Sequence, residues 1–352
     1  MIRPQLLPTL PSWLLTLRPV LLGLLFLFPG ACSSKAPDVV LYCALDQVHA
    51  EPLIRRFENE TGLTVRAEFD VEANKTVGLV NRLRTESSRP RCDVFWNNEI
   101  AHTVALAEEG LLASYDSPSA ADIPEQFRDT ERRWTGFAAR ARVFIVNTDL
   151  VEEPSSIQTM WDILDPKWAG KVGMARPLTG TTLTHATALF SILGEERALE
   201  YLNAVRAANR DGTLALTSGN ATLMRQVRDG QLAFGWTDTD DYNVALEAGS
   251  PVVAIYPDQA DLGTMVIPNT VSIIEGAPHL DAAQKLVDFI LSPAVEEQLA
   301  ASRSAQIPVR NSVPRPDNVI GFDSIQVMKV DFTVVGREMA TRHQSFKEMF
   351  LD

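Results

Sequence analysis

Val39-Val-Leu-Tyr-Cys43 is followed by Ala44-Leu-Asp46, then by a 52–60 stretch carrying Leu53, Ile54 and Phe57, and then by Leu63, Val65, Ala67 and Phe69 alternating with polar residues. The apolar spacing changes from continuous to helical to every second residue, which reads as strand, helix, strand. Pro52 suits the first turn of that helix and Gly62 its end. Working outward, 75–87 places Val77, Val80 and Leu83 on one helical face, 92–96 is a short apolar strand, and 100–109 is a helix that Gly110 stops. The same alternation resumes with strands over 143–147, 170–174, 231–236, 252–256 and 264–267. Helices fall over 182–193, 195–208, 222–230, 281–291 and 293–303, the last with Ser292 as its cap. A final amphipathic stretch covers 330–350. This pattern predicts an α/β fold with a mainly parallel sheet and helices on both faces.

The chain has 352 residues, room for two lobes of ordinary size, and its composition (45% hydrophobic, 22% charged) is that of a folded protein. Its N-terminus reads as a targeting segment. Arg18 precedes a nine-residue apolar or small run, 20–28, and then come Pro29, Gly30, Ala31 and Cys32. A membrane-spanning helix needs about 20 residues, so the run fits a signal-peptide core instead. Cys32 after Gly-Ala resembles a bacterial lipobox, although Pro29 stands where a leucine is usual. Residues 1–31 are therefore expected to be a signal peptide and 32–38 a lipidated linker. The formal charge is -13, and 1–31 holds only Arg3 and Arg18 as ionised side chains, so the mature chain is still more acidic. That balance argues against nucleic acid as a partner, and against any membrane contact beyond a lipid anchor. Cys43 and Cys92 fall at opposite ends of two neighbouring strands, too far apart for a disulfide, and are expected to be buried free thiols.

Several segments together resemble family 1 extracellular solute-binding proteins of the ferric-iron ABC importer branch. They are Val40-Leu-Tyr-Cys-Ala-Leu-Asp46, Asp93-Val-Phe-Trp-Asn-Asn-Glu99, Trp161-Asp-Ile-Leu-Asp-Pro-Lys-Trp-Ala-Gly-Lys171, Gly235-Trp-Thr-Asp-Thr-Asp-Asp241, and Pro268-Asn-Thr-Val271 with Gly276-Ala-Pro278. The resemblance implies the type 2 periplasmic-binding-protein fold, in which two α/β lobes are joined by crossing strands with the ligand in the cleft between them. It implies 39–138 and 265–310 as the first lobe, 139–264 as the second and 311–352 as a C-terminal helical tail, with crossings near 136–147 and 263–268. It also implies an exported, monomeric binding protein of the periplasm or cell surface. Such a protein catalyses nothing and presents its solute to a permease and its ATPase. Trp161 and Trp168 are expected to pack the second lobe.

In such sheets ligands bind beyond the carboxyl ends of strands. Asp46, Asn98 with Glu99, and Asp238, Asp240 and Asp241 lie just past three of those ends. Carboxylates crowded there repel one another unless a cation joins them, and their oxygens suit hard metal ions. Asp46 also reads as a simple helix cap, and the 238–241 run as a capped turn. Ferric-binding relatives offer a histidine, a glutamate and two adjacent tyrosines. Here those places fall at Asp46, at Asn98 or Glu99, and at Asp240 and Asp241, with Tyr242 one position later. The resemblance therefore implies Asp46, Glu99, Asp240 and Asp241 as ligands of Fe³⁺ or another hard cation. The alternative is a small organic solute: a phosphonate, another anion or a polyamine. Thr179, Gly180, Thr181 and Thr182 open a helix whose N–H groups, hydroxyls and dipole suit a substrate anion or a synergistic one, with Asn220 nearby. Arg140 and Arg142 are placed either to neutralise that anion or to pair with the cleft acids. The five histidines have no metal-ligand spacing, and no Gly-x-Ser-x-Gly or Walker pattern occurs.

Overall fold

The computed structural model describes residues 36–70 and 77–351. The expected signal peptide, 1–31, and the expected lipidation site Cys32 lie outside the described residues. Among them no helix is long and apolar enough to cross a membrane.

The first half of the fold holds β1 (Val39–Cys43), α1 (Gln47–Thr61), β2 (Val65–Phe69), α2 (Val77–Glu86), β3 (Val94–Asn97), α3 (Ile100–Glu108) and β4 (Leu112–Ala113). A long strand, β5 (Thr135–Asn147), leads out of it. The second half holds β6 (Val172–Ala175), α4 (Gly180–Leu193), α5 (Glu195–Arg210), β7 (Leu214–Thr217), α6 (Asn220–Arg228), β8 (Phe234–Asp238), α7 (Thr239–Glu247) and β9 (Val252–Ile255). Strand β10 (Val266–Ile274) returns, and α8 (Leu280–Ile290), α9 (Pro293–Ala301) and α10 (Phe332–Leu351) complete the chain.

The strands run β2-β1-β3-β10-β5-β8-β6-β7, with β4 on β10 and β9 on β5. Pairs β1–β2, β1–β3, β6–β7 and β6–β8 are parallel, as the alternation predicts. The crossing strands β5 and β10 run against their neighbours, so the sheet as a whole is mixed. β5 pairs with β10 up to Ala141 and with β8 from Arg142 onward, so the chain passes between the halves at that peptide. At Gly235 a Cβ would run into the Gly173 carbonyl oxygen, so only glycine lets β8 and β6 approach there.

The structure corrects several boundaries. α1 begins at Gln47, so Pro52 lies inside the helix rather than in its first turn. Ser292 stands at the cap position of α9, but its side chain makes no capping bond. Strand β7 and helix α7 are additions to the predicted elements. Asp240 and Asp241 occupy the first turn of α7, where negative charge favours the helix dipole.

One core lies under α2–α5 and α10 and draws side chains from both halves; a second lies under α1, α8 and α9. Trp161 packs edge-on against Tyr201 at 5.2 Å, and Trp168 against Phe234 at 5.4 Å. Cys43 is opposite Trp96 in the β1–β3 register, which leaves Cys92 at the far end; both thiols are free and buried. Helix α10 packs on α3 of the first half and α4 of the second. A Cβ on Gly336 would sit 2.7 Å from Val104, so this helix approaches α3 too closely for any larger residue. Arg337 pairs with Glu108 at 2.8 Å, while Arg342 pairs with Glu195 at 2.7 Å and lies over the Phe190 ring.

Candidate functional site

The carboxyl ends of β1, β3, β6, β7 and β8 turn toward one cavity of about 140 Å³. Asp46, Asn98, Arg140, Thr179–Thr182, Ser218–Ala221, Asp238, Asp240 and Asp241 line it. Arg140 and Arg142 are two residues apart on β5, and a strand's period of two sends both side chains to the same face.

Four helices start at this cavity, with Asp46 of α1, Thr179 of α4, Gly219 of α6 and Asp238 of α7 as cap residues in its lining. Thr179 stands at the cap position of α4 without a side-chain capping bond, and Gly219, which has no side chain to offer one, stands at that of α6. The first N–H groups of a helix have no partner within it, and its N-terminus carries about half a positive charge.

Two of the lining acids, Asp238 and Asp240, are paired with arginines. Arg142 Nη1 donates to Asp238 Oδ1 at 2.6 Å, and both side chains are buried. Asp238 Oδ2 accepts the Thr181 hydroxyl at 2.6 Å and Asn220 Nδ2 at 3.0 Å. Burial alone raises the Asp238 carboxyl; the Arg142 and Arg140 guanidiniums and the Thr181 hydroxyl outweigh it and hold the group below the usual carboxylate range. Arg140 Nη1 donates to Asp240 Oδ2 at 3.1 Å, and its Nη2 donates to the Asn98 carbonyl. Arg140 thus touches both halves, as a pairing with the cleft acids requires. Its Nε is buried and has no hydrogen-bond partner among the described residues. Burial works to lower the Arg140 pKa, and Asp240 and Asp238 raise it regardless. One oxygen each of Asp238, Asp240 and Asp241 lie within 4.8 Å of one another.

Two sequence-predicted residues do not join the cavity. Glu99 is 1% exposed and caps α3: its carboxylate accepts the N–H groups of Ala101 at 2.7 Å and His102 at 3.1 Å, and the Thr184 hydroxyl. A carboxylate committed to three donors has little left for a metal ion. Tyr242 borders a different groove, with Tyr256 and the 311–321 stretch. It follows Asp240 by two helical positions, about 200° around α7, which turns it away. Asp46 stands at the cap position of α1 without a side-chain capping bond, and it does line the cavity.

The threonine hydroxyls also differ from expectation. The Thr181 proton goes to Asp238, and the Thr182 proton goes to Asn220 Oδ1 at 3.1 Å. A hydroxyl has one proton, so neither faces the cavity as a donor. His185, near the same turn, is buried edge-on against Trp236, and burial, helped by Arg142, pushes its pKa down to about 3. The lining residues Ser218, Gly219 and Ala221 were not singled out; the Ser218-Gly-Asn220 turn was their only signal.

The family model for bacterial extracellular solute-binding proteins matches residues 52–321. The Fe(3+)-binding periplasmic protein of Serratia marcescens is 24% identical over 315 residues, covering 88% of this chain and 90% of that one. A ferric binding protein from Campylobacter jejuni superposes with a TM-score of 0.78 at 22% identity, over 88% of this chain and 99% of its own. The periplasmic binding protein AfuA from Actinobacillus pleuropneumoniae, with exogenous fructose-6-phosphate bound, gives 0.76 at 22% identity, over 89% and 98%. The two structural likenesses establish the two-lobed periplasmic-binding-protein fold.

Proposed function

We propose, from the premise that the chain belongs to the family of bacterial extracellular solute-binding proteins, that it captures a small solute by an anionic group and delivers it to an ABC permease and its ATPase. The observation that carries this reading is the distribution of charge in the cleft. Arg142 already neutralises Asp238, and Arg140 already meets Asp240. The uncapped starts of α4 and α6 face the cavity beside them. Main-chain N–H groups at two helix starts suit a phosphonate, phosphate ester or carboxylate. A cavity of about 140 Å³ suits a small molecule, since an engineered cavity of about 150 Å³ admits benzene. AfuA, of the same fold, is seen with a phosphate-bearing sugar.

A second reading keeps a hard cation as the cargo. The proximity of Asp238, Asp240 and Asp241, and the name of the Serratia relative, favour it. Ferric iron would then displace Arg140 from Asp240 and bind Asp46, Asp240 and Asp241, with a co-bound anion at the helix starts. In both readings the protein is a monomeric carrier, not an enzyme. It is exported by residues 1–31 and anchored through a lipid on Cys32.

The test is a thermal-melt screen of the exported protein against 2-aminoethylphosphonate, fructose-6-phosphate, inorganic phosphate, spermidine and ferric citrate. A solute at about 100 times its Kd adds roughly 2.7 kcal/mol to the folded state. Phosphorus-bearing anions are expected to raise the melt. A rise with ferric iron alone, cancelled by Asp240→Ala with Asp241→Ala, would overturn the anion reading in favour of the cation.

A further inference from the structure

We propose that Asp238 is a positioning residue: it gives no bond to the solute and instead holds in register the two helix starts that do. This inference rests on the reading that the solute's anionic group sits at the starts of α4 and α6. Four separate elements meet at this one carboxylate. β8 supplies it, β5 supplies Arg142, α4 supplies Thr181 and α6 supplies Asn220. An ionised carboxylate offers about four lone-pair sites, and three are taken at 2.6, 2.6 and 3.0 Å.

The bonds among the partners close the network. Asn220 Nδ2 donates to Thr181 Oγ1 at 3.0 Å, and Thr182 donates to Asn220 Oδ1 at 3.1 Å. Arg142 reaches both threonine hydroxyls at 3.3 Å. The Thr181 and Thr182 hydroxyls, the Asn220 Nδ2 and the Arg142 Nη groups are all directed at other members of this ring, while Arg142 Nε has no partner among the described residues. What this leaves for the solute at the cavity is main-chain N–H, together with Nε of the lining residue Arg140, which like Arg142 Nε has no partner among the described residues. The aim of those N–H groups depends on how α4 and α6 are set against each other, and Asp238 is the anion both helices share.

The sign of one substitution separates this role from a simple charge effect. A carboxylate beside an anion site repels the anion, so removing its charge should tighten binding. A positioning carboxylate does the opposite. Asp238→Asn keeps the shape but turns an N–H₂ toward donors that need an acceptor, and the two helix starts lose their tie.

The experiment is isothermal titration of the full exported chain with inorganic phosphate. Asp238→Asn is expected to weaken phosphate binding about tenfold, the scale of one lost hydrogen bond to a charged group. Thr181→Val breaks the same tie from the other side and should weaken it similarly. The double variant should lose no more than either single one, because both remove a single arrangement. Equal or tighter phosphate binding by Asp238→Asn overturns the proposal, as does additive loss in the double variant, which would make Thr181 a direct contact. If Asp238→Asn does not fold, Thr181→Val decides: unchanged affinity overturns the proposal. A wild-type chain that binds no phosphate removes the reading beneath it, an outcome distinct from intact binding that the variants leave untouched.

Discussion

Helices α3 and α4 begin on opposite sides of one cleft, and only α3 brings its own anion. The first turn of α3 is closed by the Glu99 carboxylate, which also takes the Thr184 hydroxyl of α4. The first turn of α4 has Thr179 at its cap position with no side-chain bond, and α6 starts the same way from Gly219. An acid at a strand end is therefore not in itself a cation site. Glu99 completes the helix it precedes, whereas Asp46 and Asp238 stand at the cap positions of α1 and α7 without a side-chain capping bond.

The largest test of this contrast is Arg142→Ala. Losing one partner of a buried ion pair costs about 3–5 kcal/mol, because Asp238 would be left charged and unpaired. Urea unfolding measures it, and a loss under about 1 kcal/mol would mean that Asp238 finds compensation elsewhere and the network is not closed. Glu99→Ala comes next, at about 2 kcal/mol, the upper range for a lost helix cap. It should lower the urea midpoint and leave phosphate affinity unchanged. Lost affinity with unchanged stability would return Glu99 to the solute and erase the difference between the two helices.

The smallest effect is in pH. The Asp238 carboxyl is held below its usual value in the folded protein, so its stabilising share is fully present above the unfolded carboxylate pKa of about 4 and fades as pH falls through the lower folded value. Urea midpoints taken from pH 5 down to 3 should fall less steeply for Asp238→Asn than for the wild type. Parallel curves would mean that Asp238 carries no such share.

Much of this architecture was legible in the residues. The switch of apolar spacing between Val39 and Phe69 announced strand, helix and strand, because burial on both faces and burial on one stripe leave different periods. The alternation could not show that β5 and β10 run against the rest, since direction is set by connections and not by composition. Helix α7 was hidden by its own acids: Thr239-Asp-Asp reads as a turn until its place on the dipole is known. Glu99 was ambiguous for a related reason. The predicted helix over 100–109 puts Glu99 at its start, but a side chain there can turn back to the helix or out to the cleft, and its bonds to the Ala101 and His102 N–H groups decide for the first. The cavity's other acids, Asp46, Asp240 and Asp241, do face one space. The pairing of Asp238 and Asp240 with arginines depended on two β5 side chains whose shared face followed from spacing, but whose partners did not.

Helix α10 carries a consequence for the order of events in making the molecule. Its 20 residues fill the seam between α3 and α4, with Val335, Met339 and Phe346 buried there. Both halves can be laid down without it, but the core they share stays open on this side until 332–351 docks. A chain terminated at Asp331 should accordingly bind the dye ANS and lose the sharp melt of the whole protein.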